Sequence, residues 1–195
     1  MLVPPAHGQT TERATEVTPA LVCTVAHALK QPWHERSCQA AASELAATAE
    51  PRNLLAMMVL ESGMNWEAQR WYVLGGEVVV DVGLLGIHCV VSRKGRCTNW
   101  PVRGVAPIDG LQVIPANIQA GAKVLAKKRR INHARALDFY AGDVDGSSGY
   151  TANVGAIVAA LSGVELQTKS KRVRGAGQED SRGGASAEAK LNGNS

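Results

Sequence analysis

Leu54-Leu55-Ala56-Met57-Met58-Val59-Leu60-Glu61-Ser62-Gly63 is the stretch from which the rest of the chain can be read. Seven apolar residues in succession, with Val59 the only β-branched one, fit a helix buried on nearly all sides better than an amphipathic surface helix. Pro51 suits the first turn of such a helix and Gly63 its C-terminal cap. Glu61 then falls in the last turn, against the negative end of the helix dipole and among neighbours that withhold water. Both effects favour its protonated form, which is what a general acid needs. The competing reading is a glutamate at a frayed helix end that points into solvent.

On the N-terminal side, Thr18 reads as an N-cap and Pro19 as the first position of a helix running to Leu29. Its apolar side is Leu21, Val22, Val25, Ala26 and Leu29. Gln31-Pro32-Trp33-His34 ends it, and an Ala-rich helix follows from about Glu35 to Ala49. Cys23 and Cys38 fall on these consecutive helices and read first as two small buried thiols, with a bridge between them as the alternative. Residues 1–17 read as a flexible segment. It has neither the basic start nor the continuous apolar run of a secretory signal.

On the C-terminal side, Met64 to Tyr72 reads as irregular or briefly helical, and Gly75-Gly76 interrupts it. Glu77 to His88 is β-branched and punctuated by glycine, the one convincing β signal, and predicts a small hairpin or a strand feeding a turn. Cys89 and Cys97 flank a basic loop that a disulfide would clamp. Their spacing is too wide for a zinc knuckle, so no metal is expected there. Pro115 opens a helix with Ile118, Gly121, Ala122, Val124 and Leu125 on its buried side and Lys127-Lys128-Arg129-Arg130 at its end, where cations are favoured by the dipole. Ala134 to Ala141 predicts a short helix, Gly142 to Gly149 a polar loop, and Tyr150 to Leu161 a closing helix. Residues 164–195 lose their hydrophobics and read as a disordered basic tail rich in Gly and Ser, leaving one folded domain over 18–163.

Composition agrees with a mainly α globular protein: 195 residues, 45% apolar. Aromatics make up only 4%, so the few Trp and Tyr residues become candidates for ligand surfaces. The net charge of +4 would suit a polyanionic partner, yet two short clusters, at 127–130 and 169–174, hold eight of the positive charges. No segment approaches the roughly 20 apolar residues needed to span a bilayer, so membrane insertion is not expected.

The order of these pieces resembles the lytic transglycosylase domain, a relative of goose-type lysozyme. The resemblance rests on Glu61-Ser62 after the apolar helix and on Gly83-Leu84-Leu85-Gly86-Ile87 after a strand. It continues with Asn117 to Leu125, Ala136 to Gly142, and Tyr150-Thr151-Ala152-Asn153-Val154, covering roughly Pro19 to Leu161. Two departures stand out. The family usually reads Gly-Leu-Met-Gln-Ile, so a glutamine is missing at Gly86. Its Tyr-Asn-Ala-Gly appears as Phe139-Tyr140-Ala141-Gly142, so the tyrosine that normally bonds the catalytic glutamate is either replaced by Phe139 or supplied by Tyr140.

The resemblance implies an α+β, lysozyme-like fold with a small hairpin beside the groove. It also implies cleavage, without metal or cofactor, of the β-1,4 bond between N-acetylmuramic acid and N-acetylglucosamine in peptidoglycan. Glu61 would be acid and then base, so that the muramoyl 6-hydroxyl closes a 1,6-anhydro ring and no second carboxylate is required, unlike ordinary glycosidases. Ser62 and the backbone at Leu85 and Ile87 would line the groove, Asn117 would brace it, and Tyr140 and Tyr150 would position Glu61 or the glycan. The partner would be the glycan strand, not nucleic acid. The place of action would be the cell wall, from the periplasm, the outside, or a larger wall-penetrating or virion assembly. Two other readings stand beside it: a hydrolytic muramidase in which Asp81, or Glu77, activates water, and a non-catalytic wall-binding or virion structural module.

Overall fold

A computed structural model of the chain describes residues 16–99 and 108–176. Thr18 caps α1 (Pro19–Ala28) by accepting the Leu21 amide at 3.2 Å, as the Thr-Pro pair predicts. Helix α2 (Glu35–Ala46) packs against α1 and buries Leu45 together with Cys38, Ala41 and Ala42, small residues that allow close approach of neighbouring helices. Cys23 and Cys38 face each other across this contact and form a disulfide, not the pair of free thiols expected first. Closing a loop of 15 residues removes chain entropy from the unfolded state, a contribution of about 3 kcal/mol in the loop-closure model.

Helix α3 (Pro51–Ser62) is the centre of the core. Leu54, Leu55, Ala56, Met57 and Met58 are all buried, which is why its sequence shows no polar face. Gly63 ends it in the left-handed conformation. Met64 follows with φ 64°, its side chain fully buried, and Trp33 Nε1 donates to its carbonyl at 2.8 Å. A buried left-handed methionine is a strained cap that the surrounding packing holds in place. Trp66 packs against Trp33 in a tilted arrangement, with ring centroids 5.5 Å apart and planes at 59°, and lies against the core.

The stretch expected to be irregular is instead partly a strand. β1 (Gln69–Leu74), β2 (Glu77–Val82) and β3 (Ile87–Val90) form an antiparallel sheet in that order, with Gly75-Gly76 as the turn between the first two. β1 is an edge strand exposed on nearly its whole length, so it shows none of the in-out alternation by which strands are recognised. A second small core of Val80, Val82, Cys89 and Ile108 lies under the sheet. The Cys89–Cys97 disulfide clamps the loop after β3.

After the short α4 (Ile108–Leu111), α5 (Ile114–Ile131) crosses the domain and contributes Asn117, Ile118, Ala120, Gly121 and Leu125 to its interior. Ala122 and Val124, expected on that side, are only half buried. Helix α6 (Ala136–Tyr140) is joined to α7 (Tyr150–Ala176) through Asp138, whose Oδ1 accepts both the Thr151 hydroxyl at 2.6 Å and its amide at 3.1 Å. The loop between them is organised by Asp143, which accepts amides from Gly146, Ser147 and Ser148. Those bonds, the Ser148 hydroxyl's foremost, hold the Asp143 carboxyl far below the usual range.

The described chain is α+β. Two boundaries move. Val17 is buried, so the core begins inside the segment read as flexible, whose residues 1–15 lie outside the described residues. Helix α7 continues to Ala176, past 164 where the tail was expected to begin, and residues 177–195 of that tail lie outside the described residues. Among the described residues, no helix is long and apolar enough to cross a membrane.

Candidate active site

Glu61 sits in the last turn of α3 and lines a cavity of about 190 Å³ with Leu60, Arg70, Asp81, Gly83 and Gly86. The carboxyl accepts a hydrogen bond at 2.6 Å from the Tyr150 hydroxyl at the start of α7. Burial pushes its pKa up, and the Asp81 charge adds to the rise. The Tyr150 bond and the charge of Arg70 oppose it without reversing it. Tyr150 itself is driven far above the ordinary phenol range by burial and by Glu61, so it remains a donor.

The opposite lip is the turn between β2 and β3, which the rest of the fold pins at three backbone atoms. Asn117, fully buried in α5, donates from Nδ2 to the Val82 carbonyl at 2.9 Å and accepts the Leu85 amide at 2.9 Å. Tyr140 donates to the Leu85 carbonyl at 2.8 Å. This grip depends on two glycines in the turn. A Cβ on Gly83 would lie 2.3 Å from Asn117 Nδ2, and one on Gly86 would lie 2.9 Å from Glu61 Oε2; both residues have positive φ, at 73° and 53°. Position 86 is thus where backbone is brought against the carboxylate, which gives a physical reason for glycine where a glutamine was expected.

Several expected roles are redistributed. Tyr150, not Tyr140 or Phe139, holds Glu61; Tyr140 serves the turn instead. Asn117 has no exposed atom to offer a ligand, so it braces the site from beneath and is not a substrate contact. Ser62 donates to its own helix, at the Met58 carbonyl 3.1 Å away, and is absent from the cavity wall. Leu85 is fully buried and both its backbone groups are engaged, so it shapes the groove without a free group to bind with. Ile87 is buried in β3, paired with Val82.

Asp81 lies on the sheet wall of the cavity within a network that the sequence did not reveal. The register sets Arg70 and His88 directly opposite it on the two neighbouring strands, and Tyr72 shares their face. Arg70 bonds Asp81 Oδ2 at 2.9 Å, the Tyr72 hydroxyl donates to Oδ1 at 3.0 Å, and His88 Nδ1 lies 2.8 Å from Tyr72 and 3.3 Å from Asp81. The signal was present as Arg70 and Tyr72 two residues apart, but it has meaning only once β1 is known to be a strand. Glu77 is at the exposed hairpin end, paired with Leu74 and absent from the cavity wall. Among the described residues, no three His, Cys, Asp or Glu side chains gather as a metal site.

The arrangement offers one desolvated, protonatable carboxyl held by a neutral donor, and across from it one carboxylate saturated with partners. No protein-family model, curated protein or solved structure matches the chain.

Proposed function

We propose that the protein is a peptidoglycan lytic transglycosylase of lysozyme-like architecture, acting on glycan strands of the cell wall. The observation that carries this reading is Glu61: a carboxyl whose pKa is raised by burial, fixed by Tyr150, in a cavity it shares with Gly83 and Gly86. Its proton passes to the glycosidic oxygen as the bond from muramoyl C1 to that oxygen breaks. The resulting carboxylate takes the proton of the muramoyl 6-hydroxyl as O6 bonds to C1. The 1,6-anhydro ring closes, Glu61 is again protonated, and no water is consumed.

This route asks for an acid near its own pKa and for nothing from a second carboxylate. Asp81 supports it by its commitments, since each of its oxygens is already held by Arg70, Tyr72 or His88. The hydrolytic reading keeps one observation in its favour, that Asp81 shares the cavity with Glu61, as an inverting base would have to. Incubating the full chain with purified sacculi tests the proposal. Soluble fragments should be released by the wild type and not by Glu61→Gln. Equal release by the two proteins, or release by neither, would refute it.

A further inference from the structure

A second cavity, of about 840 Å³, opens beside the first; Gly86 lines both, and His88, within 3.3 Å of Asp81, lines the second. Its other wall is the C-terminal half of α5, where Lys123, Lys127, Lys128 and Arg130 line it together with Val124 and Ile131. These four cations make no ion pair among the described residues. Arg129, on the same turn as Arg130, does the opposite: it leaves the cavity and grips Glu50 through both carboxylate oxygens, at 2.7 and 2.5 Å. A helix end needing only cations for its dipole would not distinguish these residues, and the effect would fade before reaching Lys123, more than two turns from the end.

Four cations with no ion pair among the described residues, in a cavity also lined by Ile87, Val124 and Ile131, fit a ligand with several negative charges joined by apolar spacers. A volume of about 840 Å³ suits a short branch better than a long polymer with a charge on every unit. Because it adjoins the Glu61 cavity at Gly86, that branch must be attached close to the bond being cut. Resting on the transglycosylase reading, the geometry points to this cavity as the subsite for the carboxylate-bearing stem peptide of the muramoyl residue. Lys123, Lys127, Lys128 and Arg130 would be its specificity-determining residues.

The test uses the full-length Glu61→Gln protein, so that substrate is bound without turnover, and calorimetric titration at low salt. The probes are a glycan tetrasaccharide carrying its stem peptides, the same tetrasaccharide stripped of them, and a glycerol-phosphate polymer. The peptide-bearing glycan should bind about tenfold more tightly than the stripped one, with an advantage that shrinks as salt rises. Adding Lys123→Gln, Lys127→Gln, Lys128→Gln and Arg130→Gln should erase that advantage and leave the affinity for stripped glycan unchanged, with circular dichroism matching the parent. Equal affinities in the parent, or an advantage that survives the fourfold substitution, overturns the assignment. So does tighter binding of the phosphate polymer than of the peptide-bearing glycan. Binding of neither glycan would instead remove the transglycosylase reading itself, and this inference with it.

Discussion

At the end of α3, Glu61 is half-buried and takes one neutral hydrogen bond, from Tyr150; across the same cavity, Asp81 on β2 is bound by a guanidinium, a phenol and an imidazole. The helical wall is made of core residues, and burial there raises the pKa of its carboxyl. The sheet wall is an exposed hairpin surface where polar side chains at cross-strand positions meet, so its carboxyl is held by a guanidinium, a phenol and an imidazole. Chemically similar groups are thereby placed in different surroundings, the logic that separates acid from carboxylate in characterised glycosidases. They also act on each other, because the Asp81 charge helps to raise the Glu61 pKa.

Removing the acid should have the largest effect. Glu61→Gln keeps the shape and is expected to lower turnover by about 10²- to 10⁴-fold in a glycan-release assay. Its effect on stability should run the other way. The folded-state pKa of Glu61 is raised, so its favourable contribution is fully present below the unfolded pKa and is lost as pH rises through the folded value. Melting curves should therefore show Glu61→Gln gaining on the wild type toward neutral pH, and the gap closing on acidification.

Gly86→Ala tests whether the two walls must touch. Its Cβ would fall 2.9 Å from Glu61 Oε2 at a residue with φ 53°. A cost of about 1–3 kcal/mol in unfolding and up to about 10²-fold in turnover is expected, measured by denaturant titration and initial rates. Tyr150→Phe removes a single hydrogen bond and should cost about tenfold in kcat/KM. Because that bond lowers the Glu61 pKa, its loss should move the alkaline fall of the pH–rate profile to higher pH. Asp81→Asn should do least, lowering kcat/KM by no more than about threefold. It removes a charge that raises the Glu61 pKa, so it should move the same fall to lower pH. Opposite shifts from these two variants would sharpen the contrast between the walls, and equal shifts would break it.

The helical wall was legible in sequence because burial on all sides leaves an unbroken apolar run, and Pro51 and Gly63 punctuate it. The sheet wall was only half legible. β2 announced itself through Val78, Val79 and Val80, but β1 buries almost nothing, and without it the Arg70–Tyr72–Asp81–His88 network has no scaffold. The partner of Glu61 lies 89 residues away, and choosing Tyr150 over Tyr140 depends on how α6 and α7 are joined through Asp138, which no local pattern encodes. Helix α7 outran its apolar stripe because helical propensity, which Glu165, Leu166, Gln167 and Lys169 supply in sequence, needs no core to continue a helix already nucleated. The four cysteines were visible, but pairing Cys23 with Cys38 required knowing that α1 and α2 pack face to face.

The central claim is that Glu61 works without a second carboxylate, and the mass of the products tests it most directly. Muropeptides released by the wild type and by Asp81→Asn should be collected and their glycan ends weighed by mass spectrometry. The account predicts 1,6-anhydromuramoyl ends from both proteins at comparable yield. Reducing ends from the wild type, together with an Asp81→Asn protein that is folded by circular dichroism yet releases nothing, would contradict it.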